Sequence, residues 1–408
     1  QIAMSVAVIK SSPVVVYPSE PGPPAGDVHL SSFDQRVPPF AVTSLLMFDR
    51  PIETPIETIK TALSRALVHY RPVCGRLAGD AVLHITCTDE GVPFVGASAS
   101  CTLEEVTPAI FPDLALGYAT PLCSRADALL QMQVTRFSCG GFVVGVTWNH
   151  VLADTVGMGQ FLQALGELAR GMPRPTVVPA RSAAAVPGLP PSVVSRGARR
   201  MEAEPLKGQG VFLDITVPAS LIDRVKAECG AHAACTTFED VTAVLWRCRT
   251  RAAVSDPDAT APLVFANNVR ELVAAHHGYY GNCVLMQSVR AKRAQVADGD
   301  IRDLVRLIRH AKEMAPELLA GADAKAEHGG GDMYNTLAVS SWRRVGLDEA
   351  DFGGGTPARV MWHEHEERML IPECIVCPPC KGKGGVNVAS LCVKPEHAAA
   401  FLAELAAA

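Results

Sequence analysis

His150 and Asp154 stand four residues apart, in Trp148-Asn149-His150-Val151-Leu152-Ala153-Asp154, where the apolar run Phe142-Val143-Val144-Gly145-Val146-Thr147 ends. A neutral imidazole at a strand end can take a proton from a hydroxyl or amine as that group attacks a carbonyl. A histidine and an acid at i and i+4 could face one another within a helix. His150 closes a strand, however, so Asp154 can instead turn away and brace the segment through an arginine. An H-x-x-x-D string is a weak signal alone, and an isolated histidine here reads more simply as a buried, hydrogen-bonded one.

The elements around this pair follow from the apolar spacing. Gln131–Phe137 and Phe142–Trp148 read as a hairpin over Ser138-Cys139-Gly140-Gly141, and Met158, Phe161, Leu162, Leu165 and Leu168 give a helix ending near Gly171. Upstream, strands are expected at Ser5–Lys10 and Ala41–Phe48. Thr54-Pro55-Ile56-Glu57 reads as a capping box with proline at the first helical position. Downstream, Gly210–Val217 is a strand and Ser220–Glu228 a helix. Thr236-Thr237-Phe238-Glu239 is a second capping box, and strands follow at Leu263–Asn268 and Cys283–Val289. Ile301–Met314 is an amphipathic helix. Strands at Thr336–Trp342, Met369–Val376 and Val386–Val393 precede a last helix opened by Pro395. Strands and helices mix without strict alternation, which predicts an α/β fold with mixed sheets.

At 408 residues the chain predicts two domains, and its 48% hydrophobic and 19% charged content allows large cores. A net charge of −5 without a basic block argues against nucleic acid, and no apolar run has the length of a membrane span. The 13 cysteines are odd in number and scattered through apolar patterns, which fits a reduced, cytosolic compartment. The Pro-, Ala-, Ser- and Arg-rich stretch after Met172 is the best linker.

Asp351-Phe352-Gly353-Gly354-Gly355, late in the chain after Ser340-Ser341-Trp342, gives the His150 segment its company. Together they resemble the H-x-x-x-D and D-F-G-W-G motifs of the plant BAHD acyltransferases. Further stretches match in order: Tyr70-Arg71-Pro72-Val73-Cys74-Gly75-Arg76-Leu77, Thr236–Glu239 leading to Leu245-Trp246-Arg247, Asn267-Asn268-Val269-Arg270, and Gly278-Tyr279-Tyr280-Gly281-Asn282. The resemblance spans nearly the whole chain. It implies two chloramphenicol-acetyltransferase-like domains, 1–171 and 209–408, joined by a long crossover loop at 172–208. In the family a channel between the domains admits CoA from one side and the acceptor from the other.

The implied activity is acyl transfer from acyl-CoA, a co-substrate, with no permanently bound cofactor, no metal and no covalent enzyme intermediate. His150 would be the general base. Asp154 would be a structural brace paired with Arg270, and Asp351, Gly353 and Gly355 would shape a loop outside the reacting centre. Thr236, Asn282, Ser340 and Ser341 are the candidate CoA contacts. The expected enzyme is a cytosolic monomer that moves a hydroxycinnamoyl or benzoyl group to a small amine, with an alcohol or phenol as the alternative acceptor. A catalytically silent acyl-CoA-binding relative is the alternative of another class.

Two departures bear on the acceptor. Gly354 replaces the family's tryptophan, a variant that resembles amine-acylating members. Thr356 stands where members that use shikimate or quinate carry an arginine, which argues against a carboxylate acceptor. His363-Glu364-His365-Glu366-Glu367 adds acidity nearby, which would suit a cationic amine, though it reads more simply as a solvated turn between strands. Cys374-Ile375-Val376-Cys377-Pro378-Pro379-Cys380 could suggest a metal or redox centre, but side chains three apart on a strand face opposite sides. Lys381-Gly382-Lys383-Gly384-Gly385 is not a P-loop and reads as a turn whose lysines could meet CoA phosphates.

Overall fold

The structure is a computed structural model that describes residues 7–21, 26–79, 82–120, 122–190, 210–230, 235–321, 333–364 and 371–408. Among these, the strands and longer helices of the first half are β1 (Val8–Lys10), β2 (Val14–Val16), β3 (Val28–His29), β4 (Ala41–Phe48), α1 (Pro55–His69), β5 (Arg76–Ala78), β6 (His84–Thr86), β7 (Val92–Ala99), β8 (Leu130–Arg136), β9 (Phe142–Asn149) and α2 (Thr155–Ala169). The second half holds β10 (Leu213–Val217), α3 (Ala219–Cys229), α4 (Thr237–Ala253), β11 (Leu263–Asn268), β12 (Val284–Val289), α5 (Arg293–Asp298), α6 (Ile301–Glu313), α7 (Ala315–Leu319), β13 (Leu337–Ser341), β14 (Arg359–His363), β15 (Glu373–Cys377), β16 (Val386–Leu391) and α8 (Pro395–Ala407).

Two compact units result. The first comprises Gln1–Gly188, Arg270–Cys283 and Arg344–His365, and the second Leu189–Val269, Val284–Arg343 and Glu366–Ala408. The division is not contiguous as expected: two late segments join the first unit. One reason is β14, which pairs with β4 over Arg359↔Met47 to His363↔Thr43. The crossover expected at 172–208 lies beyond residue 190 outside the described residues, as do residues 365–367 of the acidic segment.

In the first unit the main sheet runs β1-β7-β8-β9-β4-β14, with β2 also on β7. β7 and β8 are parallel and the other pairs antiparallel, so the sheet is mixed. β9 lies between β8 and β4, and all eight of its residues are buried. That central place explains a nearly continuous apolar run where a half-exposed strand would alternate. A small sheet, β3-β6-β5, belongs to the same unit.

α1 buries Ile59, Leu63 and Leu67 of its apolar face, while Ile56 is only partly buried. Each fully buried aliphatic side chain of this kind contributes roughly 1.5–3 kcal/mol. The capping box expected at Thr54 does not form. Thr54 adopts a left-handed conformation (φ 43°) without a side-chain cap, and Glu57 pairs with Lys60 at 2.6 Å.

The second unit has one mixed sheet, β10-β16-β15-β13-β11-β12, with β11, β13 and β15 parallel. Its core gathers Val241, Val244, Leu245 and Trp246 of α4, Ile301, Leu304, Val305 and Ile308 of α6, and Phe401 of α8. Here the expected box is present: the Thr236 amide donates to Glu239 Oε2 at 3.1 Å and the Glu239 amide to Thr236 Oγ1 at 3.3 Å.

Candidate active site

His150 follows β9 immediately. Its amide donates to Phe40 O at 2.9 Å, which continues the β9–β4 ladder one step beyond Ala41↔Asn149. The partly exposed ring lies 4.8 Å from the Phe40 ring, and its Nδ1 is buried with no hydrogen-bond partner among the described residues. Burial pushes the imidazole below the ordinary histidine value of 6.5, against its own carbonyl, Asp154, Asn282 and Asp34, which favour the proton. The ring is therefore neutral at pH 7, the state a general base needs.

Asp154 caps α2 and is saturated. Its Oδ1 accepts from the Gly157 amide at 3.0 Å and Arg270 Nη2 at 2.8 Å. Its Oδ2 accepts from Arg270 Nη1 at 2.8 Å and the Cys283 amide at 2.9 Å. A carboxylate has about four lone-pair sites, so none is left for an imidazole. Burial alone would raise the Asp154 carboxyl; the Arg270 charge and hydrogen bonds, with the two amides, outweigh it and hold the group below the usual carboxylate value. Gly157 makes this packing possible, because a Cβ there would lie 1.9 Å from Tyr280 O.

A second buried network grips the backbone around His150. Asn282 Nδ2 donates to His150 O at 2.9 Å and Val151 O at 3.3 Å, and Arg181 donates to Leu152 O at 3.0 Å and Val151 O at 3.1 Å. Asp34 joins the two donors: its Oδ2 accepts from Arg181 at 3.0 Å, and its Oδ1 accepts from the Asn282 side chain and amide, each at 2.9 Å. Ser31 and Tyr279 complete the set. Asn282 is only 1% exposed and spends its amide nitrogen on protein oxygens, so it is not placed as a CoA contact. Sequence reasoning missed Asp34 and Arg181. The available hint was slight: an acid, Asp34, directly after Phe33 in Leu30-Ser31-Ser32-Phe33-Asp34.

The other expected residues fall in place as follows. Asp351 Oδ1 accepts from the Gly353 amide at 2.8 Å and the Gly355 amide at 2.9 Å, closing the loop on itself. Gly353 (φ 114°) and Gly355 (φ 100°) hold backbone angles that side chains disfavour. Arg170, just after α2, donates to Asp351 O and lies 3.7 Å from its carboxylate. Gly354 is seated tightly: a Cβ there would lie 3.0 Å from Ile52 Cγ2 and 3.1 Å from Arg50 O. In the second unit Thr236 is spent as the α4 cap, while Ser340 and Ser341 are partly exposed at the end of β13. The late cysteines do not converge. Cys374 donates to Ser390 Oγ, Cys377 to Ile375 O, and Cys380 accepts from Asn387 Nδ2.

A model of the Transferase family matches residues 4–406. Acyl transferase 15 of Oryza sativa subsp. japonica is 42% identical over 99% of both chains. Myricetin 3-O-glucosyl 1,2-rhamnoside 6'-O-caffeoyltransferase AT1 of Crocosmia x crocosmiiflora is 34% identical over 98% of this chain and 99% of its own. The 3'-N-debenzoyl-2'-deoxytaxol N-benzoyltransferase of Taxus canadensis is 30% identical over 96% and 94%. Among solved structures, vinorine synthase superposes with a TM-score of 0.80 at 22% identity, covering 98% of each chain. The F. sporotrichioides TRI101 complex with coenzyme A and T-2 superposes at 0.67 and 16%, covering 94% of this chain and 97% of that one. These structures share the two-domain α/β fold with its two mixed sheets. By its end-to-end family match and its relatives, the chain belongs to the Transferase family and is an acyltransferase of the BAHD type.

Proposed function

We propose that this enzyme transfers an aromatic acyl group, hydroxycinnamoyl or benzoyl, from CoA to a small amine, with His150 as general base. The observation that carries the mechanism is a neutral imidazole on a turn whose carbonyls at 150, 151 and 152 are all held by buried donors. Nδ1 is enclosed, so Nε2 takes the proton from the acceptor as its nitrogen or oxygen attacks the thioester carbonyl. The tetrahedral oxyanion collapses, the carbon–sulfur bond breaks, and the imidazolium returns the proton to the CoA thiolate. Base catalysis of this kind contributes about 10²–10⁴-fold. Asp154 serves as a brace, since its four acceptor sites are filled.

Asn282 acts with Asp34 and Arg181 as a positioning residue. Ser340 and Ser341, together with the lysines of the 381–385 turn, are the CoA candidates carried by the second unit. The use of CoA is supported by the TRI101 complex. The amine reading rests on Gly354 and on Thr356 in place of an arginine. The tight seat of Gly354 against Ile52 supports a loop shaped for glycine. An amine with pKa near 10.4 enters as the neutral form, which a dry site favours.

An alcohol acceptor is the second reading, favoured by the 34% identical O-caffeoyltransferase, while the N-benzoyltransferase favours the first. Incubating the purified enzyme with acetyl-, malonyl-, benzoyl- and coumaroyl-CoA against polyamines, aromatic amines and alcohols, with products read by mass, separates them. Amides of benzoyl or coumaroyl groups are expected; ester-only products overturn the amine reading.

A further inference from the structure

Cys229 closes α3, and Cys235 directly precedes Thr236, the cap of α4. Asp240 lies in the first turn of α4. The two sulfurs and an Asp240 oxygen lie within 4.8 Å of one another. The sulfurs are half-buried, so a hydrated ion can reach them, whereas Asp240 is 1% exposed. Neither Asp240 oxygen has a hydrogen-bond partner among the described residues. A carboxylate so enclosed is costly unless something pairs with it. The Lys226 and Arg309 charges favour the carboxylate form of Asp240, but their hydrogen bonds go elsewhere: Lys312 and Arg309 bond Glu239 at 2.7 and 3.3 Å, and Lys226 reaches Thr237 Oγ1 at 3.3 Å.

We infer that Cys229, Cys235 and Asp240, none of which the proposed transfer mechanism uses, form a zinc site that staples the end of α3 to the start of α4. A Cys229–Cys235 disulfide would leave the buried Asp240 carboxylate without a partner, whereas a cation held by the two sulfurs supplies one. Two thiolates select a thiophilic divalent ion over magnesium or calcium. A bite under 4.8 Å suits a tetrahedral ion with zinc–sulfur bonds of about 2.3 Å, the fourth position taken by water. On binding, two S–H bonds break and two zinc–sulfur bonds and one zinc–oxygen bond form. Both protons pass to solvent, and no electron moves.

Cobalt(II) titration of the full chain, stripped of metal and kept reduced with a phosphine, tests this. One equivalent should give thiolate-to-cobalt absorption and intense tetrahedral ligand-field bands, displaced by one equivalent of zinc. Cys229→Ser and Cys235→Ser should each weaken zinc binding by at least about tenfold, as should Asp240→Asn, since loss of even an indirect partner costs about 10–100-fold. The site is overturned by absence of saturable thiolate absorption, by uptake that survives both cysteine substitutions, or by unchanged affinity in Asp240→Asn. A Cys229–Cys235 disulfide that takes up no cobalt once reduced overturns it too. The wild-type stoichiometry and spectrum decide the matter if a variant fails to fold.

Discussion

Asp154 and Asp351, which stand at or near opposite ends of α2, are held in opposite ways. At the N-terminal end, the Asp154 side chain is 4% exposed and bonded bidentately to Arg270. Beyond the C-terminal end, the Asp351 side chain is 31% exposed, bonds the amides of its own loop, and meets Arg170 only at 3.7 Å. Two motifs of equal prominence in the sequence therefore differ in physical weight. One fixes distant segments together beside His150; the other shapes a five-residue loop. Desolvation sets the difference, because an ion pair out of water punishes the loss of a partner far more than one in water does.

Substitutions can break this contrast. The largest expected effect is chemical: His150→Ala should lower kcat by about 10²–10⁴-fold while the melting temperature stays near wild type. A variant with near-native turnover would remove the N-terminal end of α2 from catalysis. Arg270→Ala comes next. It leaves Asp154 buried and unpaired, so a loss of about 3–5 kcal/mol in urea unfolding is expected. Asp351→Ala should cost about 1 kcal/mol, from two loop hydrogen bonds and a weak surface pair. Equal losses in Arg270→Ala and Asp351→Ala would dissolve the comparison.

The smallest effect is a shift in pH dependence. The His150 pKa is lowered, so activity should persist into mild acid and fall only below about 6.5. The Asp154 charge favours the protonated ring, so Asp154→Asn should move that limb further to acid in a kcat/KM profile. Asp154 itself has a lowered pKa, and the stability it contributes is present above its unfolded value, about 3.9, and lost as pH falls through the folded value. The melting-temperature gap between wild type and Asp154→Asn should therefore close in strong acid.

Much of this was legible beforehand. β4 and β11 occupy the ranges their apolar runs predict, and α4 begins at its capping box. The opposite outcome at Thr54 shows the limit. The same local pattern fails where the backbone enters the helix left-handed and Lys60 claims Glu57. β14 went unread as a strand, because its five residues gain their place only by pairing with β4, over three hundred residues earlier. Asn282 was offered as a CoA contact by its position in the chain, but it is 1% exposed and its side-chain nitrogen bonds Asp34 and the His150 carbonyl.

By itself, the sequence determined most of the longer elements, the location of His150 at the end of a buried strand, and the family. Periodicity, caps and ordered motifs are local properties that a chain carries before it folds. Only the tertiary structure decided which charges meet. Asp154 finds Arg270 across 116 positions, Asp34 finds Arg181 across 147, and Asp240 reaches two cysteines from the next helix. Pairing depends on distance and desolvation in space, and neither is encoded in the spacing of residues along the chain.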